Sequence, residues 1–173
     1  GLPTATIFAS KNKKVIGIDI NKNIVEAVNQ GKIHIVEPNL DIMVNKAVNN
    51  SFLKASTEVE PADAFIITVP TPLLSSRIKD AIPEPDISFI KAASKSISKV
   101  LKNDDLVILE STSPVGTTDR LVQWLADERP DLTFPHTHGE NSDIRVAYCP
   151  ERVLPGNIIN ELVSNDRVIG GMT

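Results

Sequence analysis

The sequence predicts an α/β protein built on a doubly wound parallel sheet with helices on both faces. Three observations lead there. Five short runs rich in Val and Ile recur along the chain, each bounded by polar or turn-forming residues. They are apolar on nearly every residue instead of alternating, which is the pattern of strands covered on both sides. Between them lie segments with apolar residues at three- and four-residue steps, the spacing of helices that lay one stripe against such a sheet.

Taken in order, the chain opens at Gly1 inside a segment that reads as helical. New chains begin with methionine, so a processed or truncated chain is expected, with a first strand upstream of Gly1. The five strand runs are residues 15–20, 64–69, 106–109, 144–148 and 168–170. After the first, Ile24, Val25 and Val28 share a helical face, with Asn21 as its N-cap and Gly31 as its stop. Residues 70–85 carry four prolines and read as a loop. From Asp86, the positions Ile87, Ile90, Ala93, Ile97, Val100 and Leu101 give an apolar stripe of about four turns. Leu121, Trp124 and Leu125 form a third face, which Arg129-Pro130 closes, and residues 134–143 read as a polar loop with two histidines. No long linker interrupts this alternation, so a single domain is expected over 1–173.

Composition narrows the function. The 173 residues, 41% of them hydrophobic, suffice for one substantial core. A net charge of -4 gives no electrostatic support to binding nucleic acid or an anionic membrane, so neither is expected as a partner. No signal peptide and no membrane-length apolar run is visible, and a soluble, cytoplasmic protein is expected. Cys149 is the sole cysteine; it excludes an internal disulfide and reads as a small buried side chain in preference to a nucleophile. His34, His136 and His138 lack metal-ligand spacing and read as surface residues, so no metal is expected.

Four segments carry candidate chemistry. Gly1 and Asp19 have about the separation of the last glycine of a G-x-G-x-x-G turn and the acid that ends the second strand of a Rossmann-like dinucleotide fold. Asp19 would bind the ribose diol and repel a 2′-phosphate, favouring NAD over NADP; a solvated turn residue is the plain alternative. The Thr68-Val69-Pro70-Thr71-Pro72 turn follows the next strand, where open parallel sheets bind ligands, and could hold a hydroxyl toward a cofactor or be only a stiffened loop. In Glu110-Ser111-Thr112-Ser113-Pro114-Val115-Gly116-Thr117-Thr118, Pro114 is placed for a first helical turn. Free N–H groups there suit a phosphate, or Ser113 or a neighbour simply caps the helix. Glu151 and Arg152, after the fourth run, could be a surface pair, yet they fall on the same strand-end rim.

Together these segments resemble the UDP-sugar dehydrogenase family over the whole chain. The resemblance rests on the G-L-P-T opening, Asp19, V-P-T-P, E-S-T-S-P-V-G-T-T and P-E-R. Within the family, His34-Ile35-Val36-Glu37-Pro38 and Pro150-Glu151-Arg152-Val153-Leu154-Pro155-Gly156 are similar to the UDP-N-acetylmannosamine branch. Arg152 and Pro155 stand where UDP-glucose enzymes usually carry an aromatic residue and a second glutamate, and Arg-Val-Leu differs from the Arg-Glu-Asp common in the UDP-N-acetylglucosamine branch. The resemblance implies an NAD-dependent oxidation of the sugar's 6-hydroxyl to a carboxylate, with two NAD reduced, for bacterial surface polysaccharide.

It further implies that Gly1, Asp19, Thr71 and Thr118 serve the NAD site and that Thr112 sits near the reacting carbon and holds a water. Glu151 would act in acid–base chemistry, and Arg152 and Val153 would touch UDP-N-acetylmannosamine or a related UDP-sugar. The intact enzyme would be a homo-oligomer. The family's thioester cysteine, in a G-G-H-C segment, with its supporting lysine and asparagine, would lie beyond Thr173, so this chain alone is expected to be inactive and to bind NAD weakly. Residues 73–82 are longer than the family pattern suggests. A cofactor-binding module without catalysis, and a UDP-glucose or UDP-N-acetylglucosamine dehydrogenase, are the alternatives.

Overall fold

The computed structural model describes residues 1–74 and 83–172. Its elements run α1 (Leu2–Ser10), β1 (Val15–Ile18), α2 (Lys22–Asn29), α3 (Leu40–Asn49), β2 (Leu53–Ser56), β3 (Ala64–Ile67), α4 (Ser88–Ser98), β4 (Leu106–Leu109), α5 (Thr117–Glu128), α6 (Pro135–His138), β5 (Arg145–Tyr148), α7 (Ile158–Ser164) and β6 (Gly170–Gly171), with one 3₁₀ turn at Gly139–Asn141. They form two compact units: Gly1–Glu60 with Arg152–Asp166, and Pro61–Glu151 with Arg167–Thr173.

In the first unit β1 and β2 pair in parallel, Val15 opposite Leu53 through Ile18 opposite Ser56. Ala9, Val28, Leu40, Val44, Ala47 and Leu53 are its buried core, with Ile33, Ile35 and Ile159 packed against them. Asn21 caps α2 through its side chain, which accepts the Asn23 N–H at 3.0 Å. Gly31 ends that segment at φ 72°, a left-handed conformation that a side chain resists. A Cβ there would also meet Asn45 Nδ2 at 2.7 Å and Asn45 Cα at 3.1 Å.

In the second unit β3, β4 and β5 are parallel neighbours in that order, and β6 runs antiparallel to β5. Val107 and Leu109 on one face of β4 are fully buried, and Leu106 and Ile108 on the other are half-buried. α4 and α5 pack on one another, α4 also on β3 and α5 on β5. Ile90, Ile97, Leu121, Val122 and Leu125 bury their shared faces.

Several expectations need correction. Leu53–Ser56 is a strand and Leu40–Asn49 a helix that the apolar pattern does not announce. The helix after Asp86 covers Ser88–Ser98, so Val100 and Leu101 lie beyond it, and Ser94 and Ser98 take buried positions by bonding back to the carbonyls of Lys91 and Lys95. The run at 168–170 yields only Gly170–Gly171. In the proline-rich loop, Leu73 and Pro85 form an antiparallel bridge; residues 75–82, on which the expected lengthening falls, lie outside the described residues.

Candidate functional site

The parallel register of the second unit sets the site. Ile67, Leu109 and Tyr148 are aligned partners, so the chain leaves all three strands at one level and the following loops share a rim. They are tied together there. Glu110 N and Ser111 N both donate to Ile67 O at 2.9 and 3.1 Å, Cys149 N to Leu109 O at 2.9 Å, and Glu151 N to Glu110 O at 3.3 Å. Ser111 Oγ donates to Val69 O at 2.7 Å, and Thr71 Oγ1 to Thr112 O at 2.7 Å. The structure therefore brings Thr71, Thr112 and Glu151 to one edge. Thr112 is exposed, and Thr71 and Glu151 are half-buried.

The next helix starts later than Pro114 suggests. Gly116 is its N-cap at φ 85°, and no side chain caps it. Ser113 is thus not the cap: Thr117 Oγ1 donates back to Pro114 O at 2.7 Å, which closes the turn and moves the helix start to Thr117. Thr118 lies in the first turn, where leading N–H groups and the helix dipole favour an anion.

At the rim is a partly buried ion pair. Arg167 Nη1 lies 2.9 Å from Glu110 Oε1 and 3.6 Å from Cys149 Sγ. The Glu110 side chain is 4% exposed and that of Arg167 29%. Burial is the largest single influence and works against the guanidinium charge, but the hydrogen bonds to Glu110 and Cys149 and the attraction of both groups together outweigh it and raise the Arg167 pKa above its ordinary value. Cys149 is buried, as its flanking residues suggest.

The remaining candidates lie in the first unit. Asp19 follows β1; its N–H donates to Ser56 O at 3.1 Å, and its Oδ1 accepts the Asn21 N–H at 2.8 Å. Gly1 precedes α1, and its carbonyl accepts the Ala5 N–H at 2.9 Å. Arg152 is exposed and Val153 half-buried; Arg152 lines an open polar groove with Ser164, Asn165 and Asp166. Glu37, quoted in the sequence motif but given no role there, is 5% exposed. Its Oε2 accepts Gly156 N–H at 2.9 Å and its Oε1 accepts Ile158 N–H at 2.6 Å.

Sequence reasoning also passed over Glu110 and Arg167. A signal for Glu110 existed: an acid that directly continues a fully apolar strand is carried into the interior by the sheet and calls for a cation. Nothing local marks Arg167 as that cation. His34, His136 and His138 are exposed, and among the described residues no group of His, Cys, Asp or Glu is placed to hold a metal. Nor, among them, is any helix long and apolar enough to cross a membrane.

Parallel strands whose carboxyl ends gather polar loops define a Rossmann-type dinucleotide-binding domain. All of residues 1–173 match the NAD binding domain of the UDP-glucose/GDP-mannose dehydrogenase family, and the chain belongs to that family. It is 64% identical over 173 residues to a UDP-N-acetyl-D-mannosamine dehydrogenase of Campylobacter jejuni, covering 100% of this chain and 41% of the relative. It is 60% identical, over 100% of the chain and 40% of the relative, to an NDP-N-acetyl-D-galactosaminuronic acid dehydrogenase of Ralstonia nicotianae. Among solved structures, the UDP-N-acetyl-mannosamine dehydrogenase of Staphylococcus aureus superposes with a TM-score of 0.87 at 38% identity, over 100% of this chain and 39% of that one. The chain thus spans about 40% of the length of the curated relatives it matches.

Proposed function

We propose that this chain holds and orients NAD within an enzyme that oxidises the 6-hydroxyl of UDP-N-acetylmannosamine to a carboxylate, reducing two NAD per sugar. The observation that carries this reading is the tied rim: Thr71, Thr112 and Glu151 at the carboxyl ends of three registered parallel strands. Identities of 56–64% to relatives named UDP-N-acetyl-D-mannosamine dehydrogenase support the choice of sugar.

The residues fit the cofactor. A strand-end carboxylate at Asp19 suits a ribose diol, and α5 begins without a side-chain cap, which suits an anion. In this reading Asp19 would accept hydrogen bonds from the diol, and Gly1, Thr71 and Thr118 are the further residues proposed to serve NAD. NAD, when bound, supplies the hydride acceptor for the oxidation. Thr112, fixed through its carbonyl by Thr71, holds a water beside the reacting carbon. Glu151 takes the hydroxyl proton, directly or through that water. The Arg152 guanidinium offers paired donors to an anionic group of the nucleotide sugar, and Val153 packs beside it. The whole enzyme is a cytoplasmic homo-oligomer in this reading.

The test is turnover by the whole enzyme in competition between UDP-sugars. UDP-N-acetylmannosamine should be preferred, with two NADH formed per sugar; preference for UDP-glucose or UDP-N-acetylglucosamine refutes the assignment. The Ralstonia relative, at 60% identity, favours one second reading, an N-acetylgalactosamine-configured substrate. UDP-N-acetylgalactosamine in the same mixture decides between them.

A further inference from the structure

The segment after Glu151 is held in place by side chains instead of by secondary structure. Between Arg152 and Ile158 no helix or strand forms, yet the backbone is tied at alternate positions. Arg152 O accepts from Asn165 Nδ2 at 3.0 Å, and Leu154 N donates to Glu161 Oε2 at 2.8 Å. Gly156 N and Ile158 N donate to the two oxygens of Glu37. Glu37 differs from the other two anchors. It is distant in sequence, it is buried, and each carboxylate oxygen takes one N–H, so it fixes both the position and the orientation of the loop end.

We propose that Glu37 is a positioning residue for sugar-nucleotide recognition: its buried carboxylate clamps residues 156–158 and thereby sets where Arg152 and Val153 meet the substrate. This rests on the reading of Arg152 and Val153 as substrate contacts. Glu37 itself touches no substrate. Its effect passes through four residues of backbone whose other end is pinned by Asn165, leaving the short span between the pins little freedom. Asp19, the NAD-site candidate of the same unit, bonds instead to Ser56 and Asn21, so the clamp is expected to act on the sugar nucleotide and not on NAD.

The test uses the whole enzyme, varying UDP-N-acetylmannosamine and NAD separately. Glu37→Gln preserves shape but turns one acceptor into an NH₂ group facing a backbone N–H. The expected result is a sugar KM raised about tenfold, equivalent to about 1.4 kcal/mol, with the NAD KM within about twofold of wild type. A merely structural role would lower kcat with the active fraction and leave both KM values unchanged, and that result overturns the proposal. So does an equal rise in both.

Arg152→Ala separates the clamp from the reading beneath it. A raised sugar KM in Arg152→Ala with a wild-type value in Glu37→Gln keeps the loop as a sugar site and removes Glu37 from its positioning. No change in either variant removes the substrate role of the loop, and the clamp with it. Should Glu37→Gln fail to fold, Glu161→Gln loosens the same loop at Leu154 and should raise the sugar KM roughly threefold, by loss of one hydrogen bond. An unchanged value there overturns the proposal.

Discussion

Replacing Arg167 by alanine removes a cation that pairs with Glu110 inside the second unit. The carboxylate it leaves is 4% exposed, whereas the arginine side chain keeps 29% exposure. Removing one partner of a fully enclosed pair costs roughly 3–5 kcal/mol, and an exposed pair contributes about 0–1. Water can reach the vacated guanidinium position from one side, so we expect a loss of about 2 kcal/mol, between those limits. For a chain of this size that corresponds to a fall in Tm of about 4–8 °C. Trp124 is the sole tryptophan and lies on α5 in the same unit, so its fluorescence in urea reports this unit. The urea m value should hold while the midpoint falls. A double-mutant cycle with Glu110→Gln isolates the pair; a coupling energy below about 0.5 kcal/mol would place the pair with ordinary surface contacts and refute the reasoning.

Three further outcomes are expected. Asp19→Ala in the whole enzyme removes the ribose acceptor and should raise the NAD KM about tenfold or more; an unchanged value takes Asp19 out of the site. Gly31→Ala should cost more than Gly156→Ala in a far-UV circular dichroism melt. Both glycines have positive φ and share the strain of about 1–2 kcal/mol, but only Gly31 lacks room for a Cβ, so equal losses would sink the steric argument. In the second unit, hydrogen bonds from Thr133 lower the Asp143 pKa, those from Ser88 lower that of Asp86, and that from Arg129 lowers that of Asp131. The unfolded chain then binds more protons, and stability is present above the ordinary value of 3.8 and lost as pH falls through the lower folded values. Asp143→Asn should flatten the acid limb of the Trp124 transition; an identical limb would show that Asp143 does not contribute.

What the sequence discloses follows from how local each cause is. β4 coincides with its apolar run because four consecutive large apolar side chains, two of them fully buried, leave no other reading. The Asn21 cap and Gly31 stop are equally local. β2 escapes because Leu53-Lys54-Ala55-Ser56 holds only one large apolar residue. α3 escapes because asparagines dilute its stripe, although Leu40 and Val44 are fully buried. At the site, the loops that follow strands are legible since topology alone puts them on a rim. Glu37 is not: a Glu-Pro step looks like a surface turn, and the N–H groups that justify its burial are 119 and 121 residues away.

That separation bears on the order of assembly. Closing a loop costs entropy that grows only logarithmically, about 0.6 kcal/mol per doubling, so the long reach of Glu37 weakens the finished unit little. Its effect falls on time. At synthesis rates of about 5–20 residues per second, the Glu37 carboxylate waits roughly 6–24 s for Gly156 to exist. β1 and β2 can pair during that interval, but an ionised side chain gives up its water only when both N–H groups are at hand. The burial of Glu37 is therefore a late event in folding, and the loop bearing Arg152 and Val153 is set after β1 and β2 have paired.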